Sequence, residues 1–465
     1  MFMMKILNTF ILFFLLSVYG GAQVLKIGSK IDTASKNNIQ SLDSLIHFID
    51  KNSSSDYEKA FGVYYWIAHH VKYDYKKFKK GKPSYSKPQD VFRKRKAVCY
   101  GYATLYRYMC SEMNVNCQLI AGYSKGFGYK GGQSFLHSDH AWNAVKIDSV
   151  WQLLDVTWAS GFLKKKLFWH SFVPKYSDKY FAVDPHYFVQ KHLPEVPMWQ
   201  IINNAVPLKV FASGNKKMDE FLKLPPSPFF FYKDTIRSFL HLDSIKQLLL
   251  EGQMALVFNS HNTAPLALAI MNSLQYKIKH DSSDLRNSSL RVLDSMIGAC
   301  AYASILLDKA KGNEKSFKKK IERAKPYAHY LSGNLYWIRG GQIKIHQQPD
   351  LIKHSLDSLR NFSQDYFFSV DKALKEFRKA SESPASNVKE YVVYKTTVRS
   401  LEEAVYNDYA RLFYQYRDWY NNESNVNSRK LIQKELNWLI NKAKGTFPSG
   451  NKYSREISRN FIYHI

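Results

Sequence analysis

Residues 140–158 read HAWNAVKIDSVWQLLDVTW, an apolar alternation interrupted once by Asp148-Ser149. Alternation with a period of two marks strands with one buried face. A two-residue polar break between two such runs marks a β-hairpin. Centring the turn on Asp148-Ser149 sets Ile147 opposite Val150, Val145 opposite Gln152 and Trp142 opposite Asp155. Side chains alternate faces along a strand, so His140, Trp142 and Asp155 share one face, and a slip of one residue would send Asp155 to the other. His140 then lies diagonal to Asp155, at a Cβ separation of about 7 Å that an imidazole and a carboxylate can bridge. A lone histidine on a strand is ordinarily a satisfied or exposed side chain, and a lone aspartate near a strand end a turn residue. The weight of the reading comes from finding them together.

Upstream, residues 96–103 read KAVCYGYA, preceded by the basic run RKRK at 93–96. Ala103, Tyr106, Met109, Cys110 and Met113 recur at helical spacing, which predicts a helix over 99–113 with Cys99 at its start. A thiol of ordinary pKa about 8.5 becomes a better nucleophile at a helix N-terminus and beside cations, because both favour the thiolate. Cys99, His140 and Asp155 thus supply, in chain order, a nucleophile, a general base and an acid that orients the base. The backbone N–H of Cys99 is the expected oxyanion donor. Gln89 and Trp66 are the side-chain alternatives, but Gln89 reads first as a loop residue and Trp66 first as core, and the sequence does not choose between them. Trp142 and Trp158 flank the site and are candidates for lining a substrate groove, with packing against the hairpin as the plain alternative.

Residues 96–103 together with 140–161 resemble the core motifs of the transglutaminase-like superfamily: a cysteine opening a helix, a His-Ala-Trp-Asn strand and an Asp-x-Thr-Trp strand. DKYFAVDPHYFVQKHLPEVPMWQ at 178–200 and YYWIAHHVKYD at 64–74 are similar to the subgroup related to the kyphoscoliosis peptidase. The resemblance spans roughly residues 56–205. It implies an α+β, papain-like core in which a Cys-bearing helix packs on an antiparallel sheet, with Cys99, His140 and Asp155 as the triad. It further implies acyl transfer on amide bonds of a protein or peptide substrate through a thioester, hydrolysis being favoured over crosslinking, with no cofactor and no metal. Ala97 departs from the pattern, which more often has glycine before Val-Cys. The rival reading is a non-catalytic binding or assembly protein that keeps the domain as a scaffold.

Around this segment the chain divides into three expected parts. Residues 1–22 read as a signal peptide, with Lys5, an apolar run from Ile6 and a Gly-Gly-Ala end before Gln23, so the protein is expected to be exported. Residues 23–205 hold the transglutaminase-like domain with helices at 39–51 and 56–72 and strands at 117–124, 140–147 and 150–157. Residues 206–465 read as a mainly helical domain, with helices at 236–253, 263–277, 285–310, 366–380, 388–420 and 428–444, and no later segment apolar enough to span a bilayer. Net charge is +28. Export argues against nucleic acid as the partner of that charge and leaves an anionic cell-envelope surface, but the lysines are scattered, as in a plainly solvated surface. The four cysteines are too few for a disulfide scaffold in 465 residues. Only Cys110 and Cys117 are placed to pair across a helix end, and the sequence leaves that open.

Overall fold

The structure is a computed structural model that describes residues 27–33, 40–80, 86–165, 170–226, 230–312, 314–347, 356–384 and 388–461. The expected signal peptide at 1–22 lies outside them. Among the described residues, the chain forms two compact units: one runs up to Pro265 and includes Lys311–Lys318, and the other comprises Leu266–Ala310 and the chain from Lys319 onward. The boundary expected at 205/206 therefore falls inside the first unit. Phe211, Met218, Ile236 and Phe239, all beyond it, are buried with the sheet's side chains.

In the first unit a helical segment over 27–33, with Ile27 and Ile31 in the core, is followed by α1 (Leu42–Asn52) and α2 (Asp56–His70). Ser41 and Ser55 cap them, each side-chain oxygen accepting a first-turn N–H, which explains why both start where they do. β1 (Lys72–Tyr73), α3 (Tyr75–Lys80), α4 (Pro88–Lys94) and β2 (Lys96–Ala97) lead to α5 (Cys99–Glu112), the predicted cysteine helix. Three strands follow: β3 (Cys117–Ser124), β4 (His140–Ile147) and β5 (Val150–Leu154). α6 (Val156–Ser160), the hairpin of β6 (Gly161–Lys165) and β7 (His170–Pro174), α7 (Pro185–Phe188) and β8 (His192–Pro194) complete the part that carries the site.

The central sheet is antiparallel in the order β5-β4-β3-β8. Its hairpin has the expected register, Ile147 opposite Val150 and Val145 opposite Gln152. Asp148 and Ser149 have φ of 47° and 67°, the pair of positive values that the tightest hairpin turn requires. β5 stops earlier than the expected residue 157. Asp155 turns its side chain onto the Trp158 N–H at 3.1 Å and caps α6 instead of continuing the strand.

The sheet buries both faces. Val145, Ile147 and Cys117 pack toward α2 and α5 in one core, where Asn143 donates to the carbonyls of Ala103 and Gln118 at 3.0 and 3.2 Å. Trp142, Ala144, Trp151 and Leu153 form the other face with Phe188, Trp199 and Phe239. Segment 311–318 joins this unit at His137, on which Phe317 stacks at 3.9 Å and to which Glu314 is hydrogen bonded.

The second unit is helical. Phe367, Tyr409, Phe413 and Tyr416 lie in its core, so the aromatic side chains of the helix expected at 388–420 pack inward. The helix expected at 236–253, in the first unit, is two, Tyr232–Leu240 and Ser244–Phe258, because Asp243 caps the second. Lys315–Gln347, a helix holding Pro326, is not foreshadowed by the apolar pattern. Contrary to the sequence reading, Leu290–Lys309 is long and apolar enough to cross a membrane, yet Leu293, Met296, Cys300, Ala303 and Leu307 on one face are buried in the fold.

Gly122 sits where three strands converge, paired to His140 on one side and to Pro194 on the other. A Cβ there would lie 2.3 Å from the Leu193 carbonyl oxygen and 2.5 Å from the Trp142 ring. Backbone cannot give way as a side-chain end can, so Gly122→Ala is expected to destabilise the first unit by at least about 1–3 kcal/mol. Chemical denaturation of the purified variant measures this, and an unchanged midpoint would show that the strands separate freely here.

Candidate active site

Cys99 opens α5 behind Val98, an N-cap with no side chain able to accept a hydrogen bond. The first N–H groups of a helix have no intrahelical acceptor. Here the Val98 carbonyl takes the N–H groups of Gly101 and Tyr102, which leaves those of Cys99 and Tyr100 pointing out of the helix end. The thiol is half-buried and lies against His140, close enough to help raise that imidazole's pKa.

His140 starts β4 and donates from Nε2 to Asp155 Oδ2 at 2.7 Å, so its other ring nitrogen is the one left for the thiol. Asp155 is fully buried. Its Oδ1 accepts the Trp158 N–H, and its own N–H donates to the Tyr180 carbonyl. The structure therefore brings the three sequence-predicted residues into one continuous chain, Cys99 to His140 to Asp155.

The charges are set by burial and contact together. Burial disfavours the His140 imidazolium, but the Asp155 carboxylate, and after it the Cys99 thiol, outweigh burial and raise its pKa well above the ordinary value. Burial pushes Asp155 up while His140 and His192 pull it down further, leaving it below the usual carboxylate range. Tyr73 on β1, next to Ala97 across the ladder, is raised by burial and then by the nearby Cys99, so its phenol keeps its proton.

One residue of the site is absent from the sequence reading. His192, at the start of β8, donates from Nε2 to the same Asp155 Oδ2 at 2.9 Å. The oxygen and the two ring nitrogens lie within 4.8 Å of one another, a spacing that suits a small cation. Both N–H groups already meet the oxygen at ordinary hydrogen-bond lengths, however, and that accounts for the geometry. The only signal for His192 was its place in a short apolar run, since β8 joins the sheet through a distant pairing.

Several expectations change. Trp142 is 1% exposed and packs edge-on against Phe188 and His192, so it backs the histidines and cannot line a groove. Trp158 keeps exposed surface and lies 5.9 Å from His140, ring to ring. Trp66 is core, stacked on Phe92 and His70, so it does not serve as an oxyanion donor, while Gln89 is exposed on the short helix before Cys99. Arg95 lies over the rings of Trp66 and Phe92 at 4.2 and 4.3 Å, which commits that cation of the basic run to packing. Cys110 and Cys117 are free thiols in contact within the core.

The comparisons agree with this geometry. Residues 43–156 match the family described as the transglutaminase-like superfamily: the chain carries a transglutaminase-like domain. Its relatives include the mouse Kyphoscoliosis peptidase, 36% identical over 200 residues that cover 42% of this chain and 30% of that protein. The human Kyphoscoliosis peptidase is 36% identical over 181 residues, 39% of this chain and 27% of that one. The Lim and transglutaminase domain protein ltd-1 of Caenorhabditis elegans is 27% identical over 187 residues, 38% of this chain and 25% of its own length. The chain thus spans under a third of each of these relatives. His192 lies beyond the family match, which ends one residue after Asp155.

Three outcomes follow from the electrostatics. Asp155→Asn removes the attraction that raises His140 and leaves burial, so His140 is expected to titrate below about 6.5, as followed by histidine-ring NMR. Because the folded chain holds that proton more tightly than the unfolded one, its contribution to stability is complete below about pH 6.5 and is lost as pH rises through the raised value. Among the thiols, burial holds Cys117 well above its ordinary pKa and pushes Cys300 up to about 12. Iodoacetamide is therefore expected to label Cys99 at least about tenfold faster than Cys117 or Cys300 at neutral pH, and peptide mapping reads this directly.

Proposed function

We propose that the first unit is an exported cysteine peptidase or amidase that cleaves amide bonds of protein or peptide substrates. The observation that carries this reading is the unbroken chain from the Cys99 thiol through His140 to a buried, ionised Asp155. The relatives named as peptidases and the transglutaminase-like family support it.

In the first half-reaction the Cys99 thiolate attacks the amide carbonyl carbon. The new C–S bond places negative charge on the carbonyl oxygen, which the N–H groups of Cys99 and Tyr100 at the uncapped helix end are available to accept. The His140 imidazolium then gives its proton to the departing nitrogen, the C–N bond breaks, and a thioester remains. In the second half-reaction neutral His140 takes a proton from water, whose oxygen attacks the thioester. The acid leaves and the thiol is restored. Asp155 stays ionised throughout, holding the imidazole in one orientation and one tautomer. The exposed side chain of Tyr100, next to Cys99 in the chain, and the half-buried Trp158, 5.9 Å from His140 ring to ring, offer apolar surface at the site for a peptide chain. An amine in place of water would give transamidation by the same first step. Water is favoured because the relatives at 36% identity are named as peptidases.

The test is a panel of peptide and glutamine-amide substrates assayed with wild type and Cys99→Ala. Cys99→Ala is expected to abolish release of the amine product, and Asp155→Asn to lower kcat by roughly 10²–10⁴-fold while moving the alkaline limb to lower pH. Equal turnover in wild type and Cys99→Ala would replace the enzyme with the scaffold reading. Export is tested separately: the mature chain is expected outside the cytoplasm with Gln23 at its N-terminus, and an intact leader on the recovered protein would remove that part.

A further inference from the structure

Asp155 Oδ2 accepts two imidazole N–H groups, from His140 at 2.7 Å and His192 at 2.9 Å. His192 is 2% exposed and Asp155 0%. The His192 ring is stacked on Phe188 at 4.2 Å and 15°, leans on Trp158 at 4.2 Å, and meets Trp142 edge-on at 5.2 Å. It has no freedom to swing away. Its placement comes from β3, which pairs Gly122 with His140 on one side and Ser124 with His192 on the other. Both histidines thereby reach one carboxylate from opposite neighbours of the same strand.

We propose that His192 is a positioning residue for the acyl-transfer reaction, its donated Nε2–H fixing Asp155 Oδ2 in place and limiting how strongly that oxygen holds the His140 imidazolium. The proposal rests on the reading given under Proposed function. With Trp158 N–H on Oδ1, the His192 N–H removes the remaining rotation of the carboxylate about its Cβ–Cγ bond. Sharing one oxygen between two donors also weakens each bond. Without His192, Asp155 would hold the His140 proton more tightly, and the imidazolium would be a poorer acid toward the leaving nitrogen. Burial keeps His192 neutral, and the Asp155 bond only partly opposes that, so it donates one proton without adding a second positive charge beside His140.

The other ionisable groups facing this cluster are few. Asp139 precedes His140 and interacts with it, and is itself raised by burial. The phenols of Tyr64, Tyr73, Tyr102 and Tyr180 lie within electrostatic range of Asp155, all raised above their ordinary value and hence neutral near pH 7. His140 and Asp155 thus carry the titration that His192 modulates.

The experiment compares wild type, His192→Ala and His192→Gln in the full chain, the glutamine placing an amide N–H near the original Nε2. Histidine-ring NMR follows the His140 titration, and steady-state assays on the substrate found with the panel above give kcat and KM. In His192→Ala the His140 titration is expected to move upward by about one pH unit, and kcat to fall about tenfold or more with little change in KM. His192→Gln is expected to recover most of both. A merely structural role would lower the melting temperature and kcat alike in both variants without moving the titration, and that result overturns the proposal. An unmoved titration in a stably folded His192→Ala overturns it too. The NMR readout needs no substrate, so inactivity of wild type on every amide would count against the enzyme reading while leaving the His192 effect separately measurable.

Discussion

An ionised carboxylate with no solvent exposure persists only where donors replace the water it has lost. Asp155 has those donors from three directions: His140 and His192 on Oδ2, and the Trp158 N–H on Oδ1. Each donor belongs to a different element, the start of β4, the start of β8 and the first turn of α6. The site therefore exists only when strand order, hairpin register and the helical cap are all correct. Removing any one would leave a buried charge short of a partner, a cost that falls on the fold as well as on the chemistry.

The surrounding packing serves that constraint. Gly122 lets β8 and the Trp142 ring close on β3, which brings His192 to the carboxylate. Trp142, Phe188 and Trp158 then wall the histidine pair with aromatic rings. Excluding water strengthens the His140–Asp155 attraction, because charge interactions gain in a medium less polar than water. The Cys99 thiol beside His140 is only half-buried.

The helical unit handles its acids differently. Asp408 takes Lys344 and the Tyr366 phenol, Arg378 reaches Glu402, and Lys442 pairs with Asp371. These pairs leave the net charge of +28 unchanged, since that value is the excess of 67 Lys and Arg over 39 Asp and Glu.

Local pattern carried much of the reading. The alternation on either side of Asp148-Ser149 determined the hairpin register and with it the shared face of His140 and Asp155, because side-chain parity along strands is a local property. The apolar spacing of α1, α2 and α5 marked those helices for the same reason. Tertiary structure decided what parity cannot express. Whether a strand residue becomes a cap depends on where the chain turns next, so Asp155 ended β5 early. Whether Trp142 faces solvent depends on what covers its side of the sheet, and residues from 183 to 239 cover it. Above all, His192 reaches Asp155 through pairing with a strand some seventy residues earlier, a contact that no local period encodes, since it arises only when distant segments close on the same sheet.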